Sequence, residues 1–204
     1  MNVAIYKPNA KKTGNAFNFQ ISTKKDVTLY VNAIQQHSWN DKTKTGSFVQ
    51  NREDPDKNIS FKLNEFELGE ILSAFQGRYS WNAFHSFNDN KTIIKIAPWD
   101  KKRTVKTKDG DDSFVVPAFG FSVTRNGNQT FRLPLEPGEV EALKRLIYKY
   151  FDLLFQNREF SSADNTSDGH RPSPKKSATP KPKKPPAEEE EDDELRRGPH
   201  IWWS

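Results

Sequence analysis

The sequence predicts an α+β fold: two antiparallel sheets, each followed by a helix, within one domain over residues 1 to 160, and a disordered tail over residues 161 to 204. Three observations predict it. Strand and helix patterns come in blocks, strands then helix, twice over. Residues 61 to 72 and 133 to 144 repeat one pattern 72 positions apart, an alternating strand running into an amphipathic helix. The copies read Phe61-Lys62-Leu63-Asn64-Glu65-Phe66-Glu67-Leu68 and Leu133-Pro134-Leu135-Glu136-Pro137-Gly138-Glu139-Val140, and a duplicated fold would give the helix starts Asn64 and Pro137 equivalent places. Finally, aromatic and β-branched residues give way near residue 160 to Pro, Lys, Ser and Glu.

Residues 15 to 21 alternate Ala16, Asn18 and Gln20 with Phe17, Phe19 and Ile21, the signature of a half-buried strand. Residues 28 to 34 are β-branched and aromatic, and residues 59 to 63 alternate again. The polar stretch 41 to 57, with Gly46 and Asp54-Pro55, predicts a turn and connection with one short strand at 47 to 50. Asn64 and Glu67 have capping-box spacing, Phe66, Leu68, Ile71, Leu72 and Phe75 supply the buried stripe of the helix, and Gly77 ends it. A second run of strands follows at 81 to 87, 92 to 98, 115 to 124 and 129 to 135, with Asn126-Gly127 as the strongest hairpin signal. Pro137 suits the first turn of a last helix reaching Phe155. Its face of Val140, Leu143, Leu146, Ile147, Tyr150, Phe151 and Leu154 exceeds what a lone surface helix needs; either self-association or a core position would cover it.

Charge is uneven. Residues 1 to 160 hold 24 Lys and Arg against 18 Asp and Glu, and residues 161 to 204 hold 8 against 9, so the domain is the basic part. A basic domain raises the expectation of a nucleic-acid or anionic-membrane partner. The absence of Cys excludes disulfides, thiolate metal sites and a Cys nucleophile. No apolar run is long enough to span a bilayer, and no leader is expected, so the placement expected is cytoplasmic or nucleoid-associated, in the host cytoplasm if the chain is viral.

Catalytic chemistry finds little support. His37, His85, His170 and His200 lack ligand spacing. The run from Asp54 to Glu65 tracks a calcium loop superficially, but Ile59 stands where the sharp turn needs Gly. Gly120 and Gly127 form no phosphate cradle. The expectation is a non-enzyme with no cofactor and no metal. Stacking is the alternative. Five Trp, five Tyr and fifteen Phe are many for so hydrophilic a chain, and Trp39, Tyr79, Trp81 and Trp99 stand near turns and basic residues, Lys95 and Lys101-Lys102-Arg103 among them. A base flattened on such a ring contributes about 1–3 kcal/mol, while neighbouring cations hold phosphates without reading sequence. Core packing is the ordinary role of each ring taken alone.

Tyr6-Lys7 followed by Lys12-Thr13-Gly14-Asn15-Ala16-Phe17 resembles the K-G-K-A-A strand motif of Whirly proteins, single-stranded-DNA-binding relatives of positive cofactor four. The resemblance extends over most of residues 5 to 155: residues 63 to 75 resemble the first helix, Ala83-Phe84-His85 the fifth strand, residues 91 to 98 the sixth, and residues 129 to 155 the last strand and long helix. It implies two roughly perpendicular four-stranded antiparallel sheets, a helical stem through which four subunits usually assemble, and single strands lying across the sheet edges. Gly14 and Ala16 match the motif; Asn15 replaces its second Lys and Phe17 its last small residue, with Lys11 and Lys12 able to supply charge and Phe17 able to stack or fill core. The segment from Asp100 to Ser113 reads as a loop longer than the family's. The candidate nucleic-acid-binding residues are Lys7, Lys11, Lys12, Asn15, Phe17, Trp39, Tyr79, Trp81, Lys95, Trp99 and Arg125.

The tail carries a Lys- and Pro-rich linker, then Glu188, Glu189, Glu190, Glu191, Asp192, Asp193 and Glu194, then an apolar tip with Ile201, Trp202 and Trp203. A solvated tail gains nothing from exposed Trp, so the acidic run and tip predict a docking partner, or occupation of the basic groove by the carboxylates. The order of linker, acidic run and apolar tip is similar in outline to the tails of bacterial replicative single-strand binders, which implies replication or repair proteins as that partner. Together these readings predict a single-stranded-DNA-binding homo-oligomer, dimer or tetramer, acting in replication, recombination or repair. RNA binding, transcription regulation, or an oligomeric adaptor acting through the tail are the alternatives.

Overall fold

The computed structural model describes residues 1–108 and 110–164, of which 160–164 as backbone only. The chain opens with β1 (Asn2–Lys7), β2 (Asn15–Ser22) and β3 (Thr28–Gln35), then a small hairpin of β4 (Ser38–Asn40) and β5 (Thr45–Ser47) and a 3₁₀ turn (Val49–Asn51). It returns as β6 (Asn58–Leu63) and helix α1 (Glu65–Gly77). Next come β7 (Trp81–Phe87), β8 (Asn90–Thr107), β9 (Gly110–Arg125), β10 (Gln129–Leu135) and helix α2 (Pro137–Asp164). One four-stranded antiparallel sheet has the order β1-β2-β3-β6, the other β7-β8-β9-β10, so each half of the fold is a four-stranded sheet followed by a helix. Met1–Asn157 is one compact unit holding both sheets, α1 and most of α2. Residues 165–204, with the predicted linker, acidic run and aromatic tip, lie outside the described residues.

Alternation sets the core. Phe17, Phe19 and Ile21 of β2 stand opposite Ala33, Val31 and Leu29 of β3, and all six are buried. Ile94, Ile96, Phe119, Phe121, Val123, Phe131, Leu133 and Leu135 supply the second sheet's inner face, and the two sets join one apolar cluster. Phe121 bridges them, its ring centroid 5.4 Å from Phe17 and 5.7 Å from Phe19. On α1, Leu68, Ile71, Leu72 and Phe75 are buried, but Phe66 is not: two residues before Leu68, it points about 200° away around the helix and lies 78% exposed. Six of the seven apolar residues of the predicted α2 face are buried in the same cluster and Phe151 is half buried against it, so a core position accounts for most of that face.

Both helix starts follow the 72-residue spacing. Asn64 caps α1 in a full capping box: its side chain accepts from the Glu67 N–H, and its own N–H donates to Glu67 Oε2, both at 2.9 Å. At α2 the Glu136 N–H donates to Glu139 Oε2 at 2.8 Å. The residue equivalent to Asn64 is therefore Glu136; Pro137 stands one place further, as the first helical residue. At the far end of α1 it is Arg78, not Gly77, that turns left-handed (φ 51°), donating its N–H to Ala74 O. Gly77 serves another need, since a Cβ there would come within 2.8 Å of the Tyr79 ring.

Four strand expectations change. Asn2–Lys7 is an edge strand paired along β2; it alternates, with Val3 and Ile5 turned inward, but over only six residues and with a single fully buried one. The short strand expected at 47 to 50 lies at Thr45–Ser47, with the 3₁₀ turn after it. β8 and β9 are far longer than 92 to 98 and 115 to 124. The predicted loop from Asp100 to Ser113 is a two-stranded ribbon, paired from Trp99↔Ala118 out to Thr107↔Gly110. Most of its residues are exposed, so it lacks the apolar alternation that marks a half-buried strand.

Candidate nucleic-acid interface

Side chains that point away from the core on the second sheet make its outer side, and the register aligns them in rows. Asn82, Lys95, Ser122 and Arg132 form one row across all four strands. Ala97, Gly120 and Pro134 form the next, and Trp99 with Ala118 the one after. On the other flank run Phe84, Ile93, Thr124 and Thr130, with Phe84 60% and Ile93 49% exposed. Between Lys95, Trp99 and Arg132 lies an open groove of about 360 Å³ floored by Ala97, Gly120 and Ser122 and bounded by Pro134.

The floor is low because its residues are small. A Cβ added to Gly120 would meet nothing nearer than Ala97 O at 4.0 Å, so the chain's own packing does not require glycine there. Its missing side chain leaves room instead. Trp99 is 43% exposed. Among the described residues no carboxylate pairs with Lys95 or Arg132. A flat ring and two cations free of carboxylates around a shallow apolar floor can stack a planar base and hold the phosphates beside it.

The margin of this surface is charged. Glu136, just after β10, accepts from Lys101 Nζ and the Arg103 guanidinium, and Lys7 Nζ stands 3.9 Å from it and 2.5 Å from Glu139. The hydrogen bond from Lys101 is the largest cause holding the Glu136 carboxyl below its ordinary value, with Arg103 adding to it and partial burial opposing.

The predicted site residues divide. Lys95 and Trp99 meet in the groove. Lys7 and Asn15 adjoin it: Lys7 is held by the two carboxylates, and the buried Asn15 donates from Nδ2 to Arg132 O at 3.1 Å, fastening β2 to the groove strand β10. Lys11 and Lys12 are exposed in the turn after β1, Lys12 with φ 59°. Gly14 closes that turn, for a Cβ there would lie 2.3 Å from Lys7 O. Phe17 is 0% exposed and fills core, which leaves it no face for a base. Trp39 is half buried in the small hairpin, its Nε1 donating to Asp41 Oδ1; Trp81 packs against the core; Tyr79 is exposed after α1. Arg125 ties the sheets' ends together, donating to Pro55 O at 3.1 Å and Asn58 O at 2.9 Å, and burial lowers its pKa against the opposing charge of Asp56.

No family model matches the chain, and no curated protein matches it. The chain is similar to Whirly proteins of solved structure. The plant transcriptional regulator PBF-2 shares 14% identity over 83% of this chain and 90% of that chain, with a TM-score of 0.48. WHY3 and WHY1 from Arabidopsis thaliana each share 15% identity, over 82% and 85% of this chain and 95% and 96% of theirs, with TM-scores of 0.49.

Arg132, Phe84 and Ile93 were not among the sequence-predicted residues. Arg132 sits outward between the buried Phe131 and Leu133, which alternation alone implies, but its place beside Lys95 follows only from the pairing Lys95↔Ser122↔Arg132. Among the described residues no group of three or more His, Asp or Glu stands together as metal ligands would, and no helix is long and apolar enough to cross a membrane. His85 is engaged elsewhere, its Nε2 lying 2.6 Å from Glu67 Oε1.

Proposed function

We propose that the chain binds single-stranded nucleic acid, DNA first, on the outer side of the second sheet, with little sequence preference, and coats or protects strands exposed in replication, recombination or repair. One observation carries this reading: Trp99, Lys95 and Arg132 surround an open groove with no carboxylate pairing either cation among the described residues. Stacking and phosphate contacts are indifferent to base identity, which is why little sequence preference is expected. Dimer or tetramer formation belongs to the same reading; Tyr148 and Phe155 of α2 are the large exposed rings available for it, and light scattering behind size exclusion counts the subunits.

The test is a titration of tryptophan fluorescence with oligo-dT, the matching RNA and a duplex at several salt concentrations. Oligo-dT should bind tightest, with log affinity falling by about 0.7 per log unit of salt for each phosphate neutralised. Tightest binding to RNA moves the reading to RNA. Equal binding of all three, or none, contradicts it and leaves an adaptor acting through its tail.

A further inference from the structure

The groove does not stop at the edge of the sheet. β7 pairs with β8 only as far as Ile96 and β10 with β9 only as far as Phe119, whereas β8 and β9 stay paired to Thr107↔Gly110. Their register is unbroken over that length, so alternation carries the groove's side onto the ribbon. After Lys95, Ala97 and Trp99 come Lys101, Arg103 and Val105, and across from them Val116, Phe114 and, toward the tip, Asp112. Phe114 and Val105 are exposed. Cation and ring therefore recur along the ribbon much as they do in the groove.

The two ribbon cations on this side are already occupied by an anion. Lys101 and Arg103 both donate to one carboxylate, Glu136, which follows β10 two residues after the outward Pro134. A carboxylate bonded to a Lys and an Arg presents two anionic oxygens to them, as the non-bridging oxygens of a phosphate would. We propose that a bound single strand continues from the groove onto the ribbon, and that Glu136 holds the place of one of its phosphates, yielding Lys101 and Arg103 to the strand when it arrives. This rests on the proposed nucleic-acid reading and extends it: the site is longer than the groove, and it contains its own competitor.

Even-numbered ribbon residues provide the control. Lys102 and Lys106 lie on the opposite side, facing Val115 and Asp111 across the pair. The experiment compares wild type, Glu136→Gln, Lys101→Ala/Arg103→Ala and Lys102→Ala/Lys106→Ala for binding of fluorescent oligo-dT, one long and one of about four nucleotides, across a salt series, with circular dichroism to confirm folding. Glu136→Gln should bind the long oligonucleotide several-fold tighter. Lys101→Ala/Arg103→Ala should bind it about tenfold more weakly, with a salt slope shallower by roughly 0.7, the single-strand value for one phosphate. The short oligonucleotide should respond to neither, and Lys102→Ala/Lys106→Ala should match wild type. If the long oligonucleotide binds wild type but Glu136→Gln leaves its affinity unchanged, or both double variants lose equally, the extension is wrong while the groove reading stands. If wild type binds neither oligonucleotide, both fall.

Discussion

Glu139 stands to the second helix as Glu67 stands to the first: each accepts the backbone N–H of the residue three before it, Glu136 at 2.8 Å and Asn64 at 2.9 Å, and both pairs are separated by 72 residues. The repeat is therefore a repeat of hydrogen bonds as well as of letters. What differs is the capping residue. Asn64 turns its side chain onto its own helix, while Glu136 turns its carboxylate outward to Lys101 and Arg103. One half keeps a cap for stability; the other places an anion at the margin of the candidate interface.

Asn64→Ala removes the side-chain half of the first capping box. Helix caps of this kind contribute about 1 kcal/mol. Urea unfolding should show a loss of that size, and oligonucleotide affinity should remain as in wild type.

Gly120→Val tests the groove by filling it. The nearest atom to a new Cβ is 4.0 Å away, and valine suits a strand, so the thermal midpoint should hold. Oligo-dT affinity measured by anisotropy should fall about tenfold, comparable with losing one stacked base. Unchanged affinity would mean that the ligand never enters the groove.

Arg125→Ala separates a structural cation from a binding one. It leaves Pro55 O and Asn58 O without their charged donor, a loss of about 1.5–3 kcal/mol in chemical denaturation. Among molecules still folded, nucleic-acid affinity should be close to wild type. Phe17→Ala should behave likewise and cost more, about 3–5 kcal/mol, because it opens a cavity between the sheets.

Acid titration examines Glu136. Its carboxyl is held below the ordinary 4.5, chiefly by Lys101, so its stabilising ties are complete above that value and are lost as pH falls through the lower folded pKa. The stability difference between wild type and Glu136→Gln should be constant from neutral pH to about 4.5 and shrink only below it. Urea midpoints at successive pH values measure this. A difference already shrinking at pH 6 would assign the titration to another group.

Much of this fold was legible because the relevant strands bury one face. β7 and β10 occupy the predicted residues 81 to 87 and 129 to 135, since their alternation is a direct image of inside and outside. The Asn64-Glu67 cap was legible from spacing, and Asn126-Gly127 takes the left-handed angles its residues suggest, φ 51° and 74°. The ribbon was not, because it buries neither side and so leaves no apolar period. Phe66 was misplaced by composition, being apolar but at the wrong angle. The groove was half legible: Lys95 and Trp99 are neighbours in sequence, whereas Arg132 joins them only through the register of three strands, information that no single segment contains.

The affinity of Lys95→Ala/Arg132→Ala for long oligo-dT at low salt, relative to wild type, tests the central claim most directly. The two cations flank the groove, and neither has a carboxylate partner among the described residues, so their loss should leave the fold intact. The expected result is a loss of at least about tenfold, with a salt slope shallower by roughly 1.4 for the two phosphates no longer held. Wild-type affinity with a wild-type slope in the folded variant would contradict the account.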